Sequence, residues 1–360
     1  MTNPFIKPKF NTIQAVMLDV IIALLPLIIA GYFAYGIIVL QQIAIAIATA
    51  LAIEFLFSAL LFKKYDSIFD GSAIVTALLL VFTISPVTPW HVVVFGSASA
   101  VLFGKLLWGG LGKNKFNPAL VGREFMSVFF ASIMTSPTIW KTNDLVKTSA
   151  KAFFQTNDFD YLSQYFSSLL FKTSGAMGEY SILCLFIGGF YLLLRNRITW
   201  HIPFSLLGSF ALIMWLLGNS SMSFSLAGIA LGTLFMATDL PSSPTTSNGK
   251  LYYGMMIGIS IFIFIKGGIR FEYMSYSILL LNAFANEVSV VFKPTAWGYK
   301  IDWKKKTEAI FFLSLKILGS AFAILSLSYY GLIQYLVFIY IVYSIIKFNF
   351  SFTNKINNVI

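Results

Sequence analysis

Charge is scarce in this chain. Asp, Glu, Lys and Arg make up 11% of its 360 residues, against about 25% in a soluble globular domain. With 58% of the residues hydrophobic and a mean hydropathy of +0.81, a water-covered globular fold and a disordered tail are both excluded. One cysteine, Cys184, excludes an intrachain disulfide and a cysteine-ligated cluster. Two histidines, His91 and His201, are too few for an ordinary zinc site, so no metal is expected. No short apolar stretch followed by a small-residue cleavage site opens the chain, so the first apolar run is expected to be retained. Acidic residues are the rarer sign, 14 against 25 basic, for a net charge of +11. The basic excess falls in short loops between apolar runs, which points to a membrane protein and away from nucleic acid.

What is present is a series of long apolar runs. About 20 apolar residues cross a bilayer as a helix, because the backbone must satisfy its own polar groups there. Twelve candidate spans follow: 13–33, 37–62, 71–87, 89–108, 117–135, 179–194, 201–218, 222–239, 251–266, 272–292, 308–327 and 329–347. The third and sixth are short. Loops after even-numbered spans hold most of the Lys and Arg, including Lys63, Lys64, Lys105, Lys113, Lys115, Arg195, Arg197 and Lys304 to Lys306. That asymmetry places those loops and both termini in the cytoplasm. The long polar segment 136–178 then lies outside. A loop of this length is commonly functional or disordered.

An echo suggests a duplicated core. Asp70-Gly71 opens an apolar run that leads to Trp90-His91; Gly178-Glu179 opens another that leads to Trp200-His201. The expected architecture is an all-α polytopic membrane protein. It has about ten core helices in two pseudo-symmetric repeats, with two further helices at the C-terminal end.

Ionisable groups inside spans are costly and mark functional candidates. They are Asp19, Glu54, Arg123, Glu124, Glu179, Asp239, Glu287 and Lys316. Asp19 lies near a span end, where it could reach water. Arg123 and Glu124 are neighbours in sequence and point about 100° apart, so each is expected to meet a partner on another helix. Two polar segments rich in Gly or Pro break the apolar pattern, 109–119 and 235–246. In the first, Asn117 is a good N-cap and Pro118 suits a first helical turn. Irregular backbone at membrane depth is tolerated where it is buried in protein or lines a cavity. No phosphate-binding loop of the Walker type, dinucleotide fingerprint or Ser-His-Asp arrangement is visible.

Four motifs together resemble one family. They are Gly-Gly-Leu-Gly-Lys-Asn-Lys-Phe-Asn-Pro-Ala-Leu-Val-Gly-Arg at 109–123, Gly-Ala-Met-Gly-Glu-Tyr-Ser at 175–181, Ile-Thr-Trp-His-Ile-Pro at 198–203, and Phe-Met-Ala-Thr-Asp-Leu-Pro-Ser-Ser-Pro-Thr-Thr-Ser-Asn-Gly-Lys at 235–250. The chain is similar to the D subunit of Rnf-type ion-translocating electron-transport complexes and the B subunit of the sodium-pumping NADH:quinone oxidoreductase. The likeness runs from about 13 to 299. A cytoplasmic segment 1–12 precedes it, and a basic loop with two added helices, 300–360, follows.

The resemblance implies a flavin-bearing membrane subunit that passes electrons across the bilayer, not an independent enzyme. Its partners would be the other subunits of the complex, a flavin (FMN, riboflavin or both), and Na+ or H+. It points to Asn114, Asn117, Thr238 and Asp239 for a non-covalent flavin, since an asparagine amide can both donate to and accept from the ring's polar edge. It points to Arg123, Glu124, Glu179 and Asp239 for ion coupling or intramembrane charge pairing. In the family, FMN is joined by a phosphodiester to a loop threonine. The corresponding stretch here runs from Asp144 through Thr148 to Lys151, and the acceptor position holds Lys151. A phosphodiester needs a hydroxyl, so none is expected. A solute channel or transporter of related fold is the second reading, and a scaffold that only anchors partners is the third. Purified protein without flavin would favour the transporter; tolerance to changes at Asn117 and Asp239 would favour the scaffold.

Overall fold

The computed structural model describes residues 12–63, 66–140, 175–218, 222–294 and 302–357, and the regular elements among them are helices. Twelve principal helices match the twelve expected spans. They are α1 (Thr12–Tyr35), α2 (Ile37–Phe57, extended by a π-helical turn Ser58–Phe62), α3 (Ser72–Phe82), α4 (Trp90–Gly104), α5 (Pro118–Phe129), α6 (Ile182–Leu194), α7 (His201–Leu217), α8 (Leu226–Met236, whose last turn is π-helical), α9 (Ser247–Lys266), α10 (Tyr273–Val291), α11 (Trp303–Tyr329) and α12 (Ile333–Asn357). Seven helices among the described residues are long and apolar enough to cross a membrane: those beginning at Ile13, Ile37, Trp90, Ser247, Tyr273, Trp303 and Ile333. The chain is a multi-pass, all-α membrane protein.

Two of the shorter helices explain how the core is built. α3 and α8 each have 11 residues, which at 1.5 Å per residue is about 16 Å, half the hydrocarbon thickness. Each continues as irregular backbone. After α3, residues 83–89 are held by Gln42 Nε2, which donates to Pro86 O (2.9 Å) and Thr88 O (2.7 Å), and by Met177 N–H, which donates to Ile84 O (2.9 Å). After α8, residues 237–246 lead into α9.

Element order gives two sets of five, α1–α5 and α6–α10, each with a half-length helix third. An odd number of crossings makes the second set run opposite to the first. This register differs from the echo in the sequence. Trp90-His91 opens the helix that follows the first half-helix, whereas Trp200-His201 opens the helix that precedes the second. The two tryptophan-histidine pairs are therefore not equivalent; a tryptophan at a helix start is an ordinary interfacial anchor.

Contacts sort the loops into two ends. At one end, Asp19 on α1 meets Arg195 and Arg197, and Asn114 meets Asp239. At the other, Trp140 stacks on Phe271 with ring centroids 4.9 Å apart, and Ser225 meets Glu179. The first end carries the short basic loops.

α11 and α12 pack on the outside of this core. Tyr252 on α9 shares a hydrogen bond with Ser314 on α11 (2.7 Å), and Lys316 pairs with Glu287 on α10 (3.2 Å). α12 lies over α4 and α5, where Val337 joins Val121 and Phe125 in a small core of its own.

Candidate functional site

α5 organises the site because it touches the end of both half-helices. Asn117 caps it: its Oδ1 accepts from Ala119 N–H (3.0 Å) and Leu120 N–H (3.3 Å), with Pro118 in the first turn. The Asn117 amide nitrogen donates to Met236 O at the end of α8 (3.3 Å). Asn282 on α10, with its amide turned to suit its neighbours, accepts from Asn117 N–H (2.9 Å). Gly122 lets α5 lie against α4; a Cβ there would sit 2.6 Å from Gly96 O. Six residues beyond the cap, Arg123 donates to Thr83 O at the end of α3.

Between these contacts and the basic-loop end lies a cavity of about 450 Å³, within the usual range of about 300–1,000 Å³ for small-molecule sites. Asn114, Asn117, Thr238 and Asp239 all line it. Apolar wall comes from Val16 and Val20 on α1, Val75 and Leu79 on α3, and Leu234 and Phe235 on α8. The floor is the Gly109–Asn117 loop. Gly109, Gly110 and Gly112 have φ of +106°, +92° and +79°, a left-handed conformation that a side chain would strain.

The four polar residues are not equally free. Asn117 is spent on capping and on Met236. Thr238 Oγ1 donates back to Leu234 O (2.7 Å). Asp239 Oδ2 accepts from Asn114 Nδ2 (3.2 Å) and Ser242 Oγ (2.9 Å). Asn114 donates through its nitrogen to Asp239 and Phe116 O, which leaves its carbonyl oxygen uncommitted among the described residues.

Sequence reasoning missed Lys105, counted above as a loop charge. It is 3% exposed and lines the cavity. Its ammonium donates to Glu54 Oε1 (2.5 Å) and to Ser72 Oγ, and lies 3.7 Å from Asp70 Oδ2. An apolar neighbourhood, Phe-Gly-Lys-Leu-Leu, was the available signal: a solvated loop lysine seldom sits among such residues. Glu54 Oε2 is buried without a hydrogen-bond partner among the described residues. The other cation on the lining, Arg197, donates to Asp19 Oδ2 (2.6 Å), and Arg195 lies 3.4 Å from Oδ1. Asp19 is therefore a buried lock between α1 and α6, not a group reaching for water; it also accepts from Tyr191 Oη (3.0 Å).

The candidates for charge pairing gather at the opposite end, Asp239 excepted. Arg123 Nε donates to Glu272 Oε2 (2.8 Å), and its Nη2 reaches Phe271 O (3.0 Å) and Glu272 Oε1 (3.3 Å). Trp140 covers the guanidinium 5.8 Å away. Glu124 is buried beside this group; its Oε2 meets Ser127 Oγ (3.4 Å), and its Oε1 has no hydrogen-bond partner among the described residues. Glu179 Oε2 accepts from Ser225 Oγ (2.6 Å), which caps α8. Arg123 thus looks across helices as expected, whereas the Glu124 carboxylate hydrogen-bonds to Ser127 on its own helix. Glu272 was missed because it stands at a helix start, where a carboxylate reads as a routine end residue. Asp144, Thr148 and Lys151 lie outside the described residues.

Residues 1–298 match the model of the NQR2, RnfD, RnfE family. The chain belongs to that family. It is 36% identical over 287 residues to the D subunit of the Na(+)-translocating ferredoxin:NAD(+) oxidoreductase complex of Acetobacterium woodii, covering 78% of this chain and 89% of that one. It is 31% identical over 308 residues to the D subunit of the proton-translocating ferredoxin:NAD(+) oxidoreductase complex of Clostridium ljungdahlii (80% and 92% covered). The D subunit of the ion-translocating oxidoreductase complex of Pectobacterium atrosepticum is 30% identical over 347 residues (83% and 98% covered). α11 and α12 lie beyond the residues that the family model matches. The whole cavity falls within them.

Proposed function

We propose that this chain is a flavin-binding membrane subunit of an ion-translocating electron-transport complex, and that it helps pass electrons across the membrane. The observation that carries the reading is convergence: four residues from two distant polar motifs line one cavity of small-molecule size, in a chain whose relatives are named as subunits of such complexes.

The lining suits a flavin ring. Its walls are apolar, its polar groups are few, and the Asn114 carbonyl is an acceptor awaiting a donor such as a ring imide. A bound flavin would supply the redox chemistry. Asn114 would orient it, Asp239 and Ser242 would hold the Asn114 amide in place, and the α1, α3 and α8 side chains would exclude water. Both cations on the lining are already committed, Lys105 to Glu54, Ser72 and Asp70, and Arg197 to Asp19. The cavity therefore suits the ring better than a phosphate. Arg123, Glu124 and Glu179, at the far end, are the groups for coupling to Na+ or H+. The charge asymmetry supports a cytoplasmic side for the cavity and both termini, in the cell membrane.

A transporter without redox activity is the second reading, favoured by the two half-helices, which are typical of transporters. Flavin content decides between them. Full-length protein is expected to carry extractable flavin. Asn114→Leu is expected to lower occupancy about tenfold, from one buried hydrogen bond lost. Flavin-free wild-type protein, or unchanged occupancy in Asn114→Leu, would sink the assignment. All flavin is expected to leave on denaturing gels, because Lys151 offers no hydroxyl; a fluorescent band that disappears in Thr148→Ala would show a covalent link. In a Cys184→Ser background, Lys304→Cys is expected to react with an impermeant thiol reagent only after the cytoplasmic face is opened.

A further inference from the structure

α12 makes contacts that the cavity does not need for its lining. Trp108 and Phe116 flank the glycine-rich floor on its two sides, and α12 grips both. Trp108 Nε1 donates to Tyr340 Oη (3.0 Å), and Tyr340 Oη donates to Phe103 O at the end of α4 (2.8 Å). The Phe116 ring meets Tyr340 edge-on at 5.6 Å and Trp108 at 5.9 Å. Farther along α12, the Lys347 ammonium lies 3.8 Å from the centre of the Trp108 ring.

Apart from the Asn114–Asp239 hydrogen bond, the segment between those two aromatics has little to hold it. Three of its residues are left-handed glycines, and its backbone bonds are local: Gly109 N–H to Leu106 O, Gly110 N–H to Lys105 O, Lys113 N–H to Gly110 O. Such a segment is soft. Its cavity side presents Leu111, Gly112 and Asn114.

We propose that α12 is a strap that fixes the Gly109–Asn117 loop, with Tyr340 and Lys347 as positioning residues that set how tightly the cavity holds its ligand. The ligand part rests on the flavin reading; the loop part does not. The tyrosine hydroxyl accepts and donates at once, which phenylalanine cannot do. The lysine contributes a cation–π contact, which arginine would also make. Both residues belong to the segment beyond the family match, so the strap is an addition to the family core.

Hydrogen exchange read by mass spectrometry on full-length Tyr340→Phe, Lys347→Gln and Lys347→Arg tests this, with flavin retention measured on the same samples. Ile339→Ala, an exposed position on α12, is the control. Amides 109–117 are expected to exchange about five- to tenfold faster in Tyr340→Phe. Lys347→Gln is expected to give about two- to threefold, and Lys347→Arg to restore the wild-type rate. Peptides of α7 and α9 should not change, and flavin should be lost in the same order. Unchanged loop exchange in Tyr340→Phe and Lys347→Gln overturns the strap, as does a rise spread over the whole chain. A faster loop with undiminished flavin overturns the positioning role. Wild-type protein with no flavin but a loop that loosens in Tyr340→Phe overturns the flavin reading and upholds the strap.

Discussion

The two ends of α5 do opposite things with the same raw material. At its start, Asn117 meets the end of α8 through neutral amides, and beside it the protein leaves a cavity of about 450 Å³. One turn and a half later, Arg123 meets the end of α3 through a full charge, and each of its nitrogens donates to Thr83, Phe271 or Glu272. Both half-helices end in carbonyls that something must satisfy. A neutral cap leaves room for a ligand, whereas a charged cap draws in counter-ions and closes the space. Half-helices alone therefore do not define a binding site; the residue that satisfies their ends decides it.

Removing the charged cap should have the largest effect. Arg123→Met strands Glu272 and leaves two backbone carbonyls without a donor. Breaking a buried pair from one side costs about 3–5 kcal/mol. Thermal unfolding in detergent is expected to show a loss of that size, and Glu272→Gln in the same background should recover part of it. A variant within about 1 kcal/mol of wild type would mean that Arg123 is not what holds the end of α3.

The neutral cap should cost less. Asn117→Ala removes an N-cap and one contact to Met236, about 1–2 kcal/mol by the usual cost of a lost cap. Flavin occupancy is expected to fall too, but less than in Asn114→Leu, since Asn117 is already committed. Equal loss of flavin in both variants would show that Asn117 touches the ligand directly.

Much of this contrast is legible without the fold. Asn117 and Pro118 announce a helix start by local chemistry, and the two polar breaks at 109–119 and 235–246 are conspicuous against apolar surroundings. Their meeting could not be read, because it depends on which helices pack together. Charge partners failed for the same reason. Lys105 and Glu54 are 51 residues apart, and Arg123 and Glu272 are 149 apart. The apolar neighbours of Lys105 hint that it is buried, but not which carboxylate it meets, since tertiary packing alone supplies the partner. The repeat was legible as a duplication, but its register was not, because Trp-His pairs mark membrane interfaces as readily as equivalent positions. Helix length, which fixes the register, requires knowing where α3 and α8 stop.

The smallest expected effect is the coupling between the two ends. Arg123 and Asn117 are six residues apart on one helix, about 9 Å along its axis, and no residue hydrogen-bonds to both side chains among those described. Sites that far apart without shared partners usually add to within about 0.3–0.5 kcal/mol. A double-mutant cycle of Asn117→Ala and Arg123→Lys in detergent tests this, with lysine chosen so that the charge stays and the protein still folds. Near-additivity is expected for stability. The same cycle read on flavin occupancy should show Asn117→Ala alone carrying the loss, because Arg123 is absent from the cavity lining. A stability coupling above about 1 kcal/mol would mean that α5 moves as one piece between the ends. The neutral and charged caps would then be two faces of a single switch, and the division between a ligand end and a charge end would have to be abandoned.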